Sequence, residues 1–539
     1  MSSTPEKQVG IIVGEASSNE FLFASKTEDY PSKWEYIVVL SKEHIDGNLV
    51  EVPVVAQVER IVSASQALSA SEDIDALRRI ISADIQDIHT WGRAKVLGYQ
   101  TSSDSRILQP RHAITPGKPI SIASKELLAK FYSFPEKNGL HIGSLITRSD
   151  VPVQLSVEGL RRHLAIIAQT GAGKSYCAGV LIEELLMKGA TIVVIDPHAD
   201  YAMLSLTQDD SLYERADSVT VFRNPASTSR YGNKNIGEVK PYEIAFTDLE
   251  PAEVCDVARV PQAATNIREA VRLAISSLGD REYTTVDLLN ALENPRWVPV
   301  DEKGKQDRTI LNGASSAVKY VRSLSRLRVF TVSSTKVEEL LKPMHVSVID
   351  LSGLEDKAMN YICSRVLEDI YDEVSSEQYE FPVFVMIEEA HKFVPPETST
   401  YAADVINKIA SEGRKFGVFL TLITQRPSKV DSDSLSQCNS QIVMKMTNPD
   451  DQMAIQRSSE RMSSDLLADL PGLNPGECVV VGEVTRAPVM VMVRPRVTKE
   501  GGVDVDIVSK LEQARRKVKG DELLNKQDAM RQPFTGRLT

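Results

Sequence analysis

The chain has 539 residues, 42% of them hydrophobic and 25% charged, and 74 acidic against 62 basic side chains give it a formal net charge of −12. That length accommodates two to four domains with ample core, and no apolar run approaches the 18 or more residues of a membrane span. The acidic balance is only weak evidence against a nucleic-acid partner, because a ligand held in one locally basic channel is insensitive to global charge.

Residues 8–110 read as a small β-barrel. Val9–Val13, Glu20–Ala24, Glu35–Leu40, Glu51–Val62 and Ala94–Tyr99 are β-branched runs separated by turn residues. One helix interrupts them, with Ile74, Leu77, Ile81 and Ile85 on one face. The Pro/Gly-containing stretch Pro110–Pro119 is the expected boundary, giving a first domain over 1–115. From about residue 120 strands alternate with helices, the signature of a parallel α/β sheet. The expected core strands are Leu164–Ile167, Thr191–Ile195, Val346–Asp350, Pro382–Ile387, Val418–Thr424 and Gln441–Met446.

Between Asp248 and Ser334 the pattern is mostly helical, so 248–334 reads as an all-α insert in a core spanning 120–498. The tail, 499–539, is charged and poor in apolar groups apart from one helix around Val508–Leu524; it is expected to brace a neighbour or trail in solvent. The N-terminus, Met-Ser-Ser-Thr-Pro-Glu-Lys, lacks the apolar core of a signal peptide. Cys177, Cys255, Cys363, Cys438 and Cys478 form no Cys-x-x-Cys pair, and read as buried thiols in a reducing cytoplasm.

The most informative stretch is 164–176, Leu-Ala-Ile-Ile-Ala-Gln-Thr-Gly-Ala-Gly-Lys-Ser-Tyr. An apolar run ends in a small-residue loop closed by Lys174 and Ser175, and a helical pattern follows. Strand, glycine loop, Lys-Ser and helix together hold a nucleoside triphosphate: loop N–H groups wrap the phosphates and the helix N-terminus adds a favourable dipole. Gln169, Thr170, Gly171, Ala172, Gly173, Lys174, Ser175 and Tyr176 are the nucleotide-binding residues on this reading. Lys174 would reach the β- and γ-phosphates and Ser175 would ligate Mg²⁺. Ala168 stands where the leading glycine is usual, a position that needs only a small residue. A dinucleotide-binding turn would also use glycines and an acid near Asp196, but Tyr176 occupies its third glycine position and Lys174-Ser175 would have no role there.

What happens to the phosphates is read from Phe381–Phe393, where a buried apolar strand ends in Glu388 and Glu389. The first carboxylate would hold magnesium, partly through water, and the second would polarise an attacking water. A kinase must exclude water, so the paired acids favour ATP hydrolysis. Other polar groups fall on strand ends, where a parallel sheet places its ligands: Asp196 could orient water or magnesium, and Gln425 is placed to sense the γ-phosphate. Arg414, read as lying in a turn after the helix Ile406–Ser411, could act as an arginine finger in the next subunit, with an ordinary surface salt bridge as the alternative. His198 and His391 are read as packing or hydrogen-bonding residues.

Together these residues resemble the HerA/FtsK class of ring-forming translocases, and specifically archaeal HerA. The matching pieces are Gln169–Ser175, Val194-Ile195-Asp196-Pro197-His198, Ile387-Glu388-Glu389-Ala390-His391, Glu412–Gly417 and Thr424-Gln425-Arg426-Pro427. Ala168 and Glu388, where many relatives carry Gly and Asp, depart from the pattern. The resemblance covers roughly residues 5–500 and implies a RecA-like ATPase core with a small N-terminal barrel. It further implies a homohexamer that threads double-stranded DNA using ATP, partnered by a NurA-like nuclease and acting with Mre11–Rad50 in end resection. Arg230 and Lys234, in the polar segment Ser227–Asn235, are the expected DNA contacts, with a solvated surface loop as the alternative. Two other functions stay open on sequence: a ring ATPase that moves protein or assembles a secretion or conjugation complex, and a non-motor nucleotide switch.

Overall fold

Alternating buried and exposed side chains close the first part of the chain into a barrel. In the computed structural model, which describes residues 7–517 apart from 84–86, 102–105, 233–235, 280–281, 301, 303, 397, 399 and 503–506, the barrel strands are β1 (Gln8–Ala16), β2 (Glu20–Ser25), β3 (Tyr36–Ile45), β4 (Asn48–Ser65), β5 (Ile88–Gly98) and β6 (Pro119–Ile122). They run in the order β1-β2-β5-β4-β3-β6, and Ile12, Phe23, Ile37, Val54 and Ile120 fill the interior. The barrel therefore reaches past the boundary at 115: β6, only four residues long and beside Pro/Gly punctuation, pairs with both β1 and β3 and closes it. The interrupting helix α1 (Ile74–Ser82) buries none of its residues, and Ile85 lies outside the described residues.

The rest is organised on a twelve-stranded sheet. After α2 (Lys125–Phe131) come β7 (Gly139–Leu145), β8 (Pro152–Ser156), β9 (Leu164–Ile167), α3 (Lys174–Met187), β10 (Thr191–Asp196), β11 (Val219–Arg223) and β12 (Glu238–Pro241). The helical insert then carries α4 (Pro251–Val257), α5 (Thr265–Leu278), α6 (Thr285–Glu293) and α7 (Arg308–Ser325), between the two-residue strands β13 (Ile244–Ala245) and β14 (Phe330–Thr331). It is followed by α8 (Val337–Leu340), β15 (His345–Asp350), α9 (Asp356–Ser375), β16 (Val383–Ile387), α10 (Tyr401–Lys408), α11 (Arg414–Phe416), β17 (Val418–Thr424), α12 (Ser432–Gln437) and β18 (Ser440–Met444). Then α13 (Pro449–Ser458) and α14 (Ser464–Asp469) precede β19 (Glu477–Val481) and β20 (Val489–Val493).

The order is β12-β11-β15-β10-β16-β17-β9-β18-β19-β20-β7-β8. Pairing is parallel from β12 through β18, and antiparallel beyond it. All six expected core strands are present. Each is buried along its whole length, as strands covered by helices on both faces must be. Successive residues of β9 feed two cores: Leu164 and Ile166 pack with Leu181 and Leu185 of α3, and Ala165 and Ile167 pack with Ile362 and Val366 of α9. The fold is thus α/β, with a RecA-like parallel sheet, a helical subdomain and an N-terminal β-barrel. No described helix is long and apolar enough to cross a membrane.

Parallel pairing has a consequence for the site: every strand from β11 to β18 ends at one edge of the sheet. The excursion between β18 and β19 steadies that edge. Lys445 O accepts from Gln169 N and Gly476 N donates to Ala172 O, so both ends of the excursion clamp the loop after β9. Its middle anchors the barrel, where Asp469 accepts from Trp34 Nε1 at 2.7 Å and Asp465 from Arg93 at 2.7 Å. Truncating the fully buried Leu422 of β17 to Ala should cost the ATPase core about 2–5 kcal/mol, read as a lowered denaturation midpoint of that part of the molecule.

Candidate active site

The loop after β9 has the backbone that phosphate binding needs. Gly171 (φ 77°) and Gly173 (φ 102°) are left-handed, and only open space lies where a Cβ on Gly171 would stand. The loop runs into the N-terminus of the 14-residue helix α3. Lys174 reaches across the sheet edge: Nζ donates to Glu388 Oε1, and to Glu389 Oε1 at 3.3 Å. β17 lies between β9 and β16, and its last polar groups enter the gap; Thr170 Oγ1 donates to Gln425 Oε1 at 2.5 Å. Lys174, Ser175, Glu388, Glu389 and Gln425 are thereby brought together from segments more than 200 residues apart.

The two acids are held differently. Glu388 is wholly buried, and its second oxygen accepts from Tyr201 OH at 2.9 Å. Glu389 follows in a left-handed conformation, φ 51° and ψ 48°, a strain of about 1–3 kcal/mol that surrounding contacts must hold in place. His391 Nδ1 lies 3.1 Å from Glu389 Oε2 but meets Thr424 Oγ1 at 3.2 Å in hydrogen-bonding geometry. Glu389 Oε2 is thus buried beside the His391 ring, with no other partner among the described residues. Burial pushes the Glu389 carboxyl up, but the His391 ring and the Lys174 ammonium outweigh it and bring it down to about 2.

Asp196 lies at the same edge with a different set of partners. Its oxygens accept backbone N–H groups of His198, Asp200 and Tyr201, and burial, followed by the charge of Asp200, pushes its carboxyl up. It shapes the loop that presents Asp200, and Asp200 accepts from Ser175 Oγ at 3.0 Å. Asp200 and Tyr201 were not singled out from sequence. The signal available was an acid and an aromatic within five residues of a strand-ending Asp. Tyr176 is tied to the other side of α3, accepting from Arg496 N at 2.7 Å. Gln169 accepts from Thr447 Oγ1 at 3.0 Å.

Arg414 is elsewhere, and it is helical where a turn was expected. Helix α10 continues through one π turn, Ile409–Gly413, into α11. A Cβ on Gly413 would stand 2.8 Å from Val418 O, so glycine permits this tight passage. Arg414 precedes β17 and is exposed, seven strand residues or about 20 Å from the edge that carries Lys174. Buried His163, just before β9, fixes the turn: its Nδ1 accepts from Leu420 N at 2.9 Å and its Nε2 meets Ala410 O at 3.1 Å. Burial, aided by the Arg414 charge, brings the His163 ring down to about 4, so it is neutral at pH 7.

Arg230 is exposed after β11, its guanidinium 5.7 Å from the Tyr231 ring centroid. It shares the site's edge, but β11 is five strand positions from β9, or about 24 Å at about 4.8 Å per strand. Lys234 lies outside the described residues.

The described residues contain no cluster of three or more His, Cys, Asp or Glu suited to a metal ion. What is present, the Ser175 hydroxyl with Asp200 and Glu388 behind it, fits a hard cation that shares its oxygen ligands with phosphates and water. A glycine loop opening a helix, opposed by two carboxylates from a strand beyond its neighbour, defines a P-loop ATP hydrolase. Residues 140–370 match the family described as Helicase HerA, central domain. A probable helicase of Methanocaldococcus jannaschii is 30% identical over 520 residues, covering 93% of each chain. The DNA double-strand break repair helicase HerA of Pyrococcus furiosus is 28% identical over 95% of this chain and 98% of its own, and that of Sulfurisphaera tokodaii 27% over 95% and 97%. This chain belongs to the HerA helicase family.

A carboxylate held as low as that of Glu389 adds stability that is complete above its ordinary value of 4.5 and lost as pH falls towards about 2. In nucleotide-free protein, Glu389→Gln should therefore flatten the loss of stability over that window, seen as urea midpoints that fall less steeply with acid than those of the wild type.

Proposed function

We propose that this chain is an ATP-driven translocase or helicase for double-stranded DNA. It works as a homohexameric ring on broken DNA ends, beside a NurA-like nuclease and with Mre11–Rad50, during resection for recombinational repair. The observation that carries hydrolysis is Glu389, a buried carboxylate beside the phosphate loop that lies 3.3 Å from Lys174 Nζ and 3.1 Å from His391 Nδ1. The DNA half of the reading is supported by relatives named DNA double-strand break repair helicase that align over nearly their whole length. The five buried free cysteines support a reducing, cytoplasmic setting.

The chemistry follows from what Lys174 does. Its ammonium neutralises Glu388 and Glu389 until β- and γ-phosphates enter the loop and offer it a stronger anionic acceptor. Its departure leaves Glu389 as a carboxylate able to take the proton of an attacking water. Gln425, tied to Thr170, senses the γ-phosphate from the end of β17. Ser175, and Glu388 through water, would hold Mg²⁺, which would supply positive charge against the phosphates. A stabilising cation at the γ-phosphate comes from Arg414 of a neighbouring copy, since within one chain Arg414 lies on the far edge of the sheet. Arg230 and Lys234 are the candidate contacts to the DNA backbone.

Duplex DNA should stimulate ATP hydrolysis by purified protein; no stimulation, with the nuclease present, contradicts the DNA reading, and co-sedimentation with membranes would then favour protein transport. Glu389→Gln should lower turnover by about 10²–10⁴ while ATP still binds, whereas a nucleotide switch would be little affected. Arg414→Ala should retain ATP binding and lose hydrolysis. Mixed with wild type it should inhibit more than in proportion to its share, and strictly additive rates would defeat the shared site.

A further inference from the structure

Behind the phosphate loop sits a cation that the mechanism above does not use. Residues 494–502 run back from β20 along α3. Arg494 pairs with Glu183 and Glu184 at 2.9 and 3.0 Å, Glu183 Oε1 accepts from Val497 N and Thr498 N, and Gly501 N donates to Asp200 O. Inside this strap Arg496 is 3% exposed. Its Nε donates to Thr498 Oγ1 at 2.9 Å, Nη1 to Ser175 O at 3.3 Å and Nη2 to Lys499 O at 3.1 Å. A Cβ on Gly179 would stand 2.3 Å from Arg496 Nε, so a glycine inside α3 makes the space for the guanidinium.

Every one of those acceptors is neutral. Among the described residues no carboxylate forms an ion pair with Arg496 within 4.0 Å. Glu183 is committed to Arg494, two backbone amides and the Thr498 hydroxyl, and it and Glu500 act on Arg496 only from farther away. Burying a charge without a counter-charge costs several kcal/mol, so a chain that keeps one has a use for it. The residues that touch this one belong to the nucleotide site: Ser175, Tyr176 through the Arg496 amide, and Tyr201, whose ring lies under the guanidinium at 6.0 Å and whose hydroxyl holds Glu388. The site otherwise collects carboxylates, Asp200, Glu388 and Glu389, around Lys174.

We propose that Arg496 is a positioning residue for the nucleotide: it fixes the first turn of α3 through Ser175, and its unpaired buried charge is balanced by the polyphosphate bound at the loop. The inference rests on the reading of that loop as an ATP site, and it separates the effect of charge from that of packing. A purely structural arginine would change the binding of all ligands alike, whereas an electrostatic one acts in proportion to phosphate charge.

The test is the dissociation constants of ATP, ADP and adenosine for full-length protein, without hydrolysis. Arg496→Gln should weaken ATP about tenfold, ADP less, and adenosine by under about twofold. Gly179→Ala, which displaces the guanidinium, should act in the same direction, and Arg496→Lys should restore most of the preference for ATP over adenosine. Equal changes for the three ligands, or none, overturn the inference, as does failure of both Arg496→Gln and Gly179→Ala to fold, which would make Arg496 scaffold alone. Lys174→Ala separates the two claims. If it binds ATP as the wild type does, the loop reading itself fails; if it loses ATP while Arg496→Gln and Gly179→Ala change nothing, only the role of Arg496 falls.

Discussion

The ion pairing of Lys174 with Glu388 and Glu389 is the interaction on which the site depends. Three charged groups, one opening α3 and two just after β16, lie almost fully buried at one sheet edge, and removing either side would leave an uncompensated buried charge, a loss of about 3–5 kcal/mol. The same economy gives the site its logic. On the proposed mechanism, a phosphate that takes over Lys174 frees the acids, so that binding the substrate and unmasking the base become one event. The Tyr201–Glu388 hydrogen bond fixes the first acid at this edge.

Around this pairing the sheet sorts function by edge. Parallel strands deliver Lys174, Asp196, Glu388 and Gln425 to one side because each follows the C-terminal end of its strand. Arg414 precedes β17 and is delivered to the other side by the same rule. On the proposed reading, a cation and a phosphate loop on opposite edges of one chain meet only between copies. The neutral His163 ties the start of β9 to the π turn that precedes Arg414.

Much of this was legible in the sequence, for physical reasons that differ by element. The six central strands are continuous apolar runs because helices cover both faces, and such runs stand out without neighbours for comparison. The phosphate loop and the paired acids carry fixed local spacing. What escaped was non-local or short. β6 is four residues beside Pro and Gly, and only closure of the barrel makes it a strand. β7, β8, β19 and β20 extend the sheet through antiparallel pairings that no alternating βα pattern announces. The strand-end position of Asp196 suggests a group that orients water or magnesium, but backbone amides claim its oxygens and Asp200 meets Ser175 instead, a loop property invisible to spacing. Arg496 meets Ser175 across 321 positions of sequence, and nothing local marks it.

The central claim is that hydrolysis belongs to the assembled ring, with Lys174, Glu388 and Glu389 from one copy and Arg414 from the next. The most direct measurement is ATP turnover per chain as protein is diluted, with particle mass followed in parallel. The account predicts that turnover per chain collapses as the assembly dissociates, while ATP binding to the separated chains persists. Turnover per chain that stays constant down to monomer would contradict it.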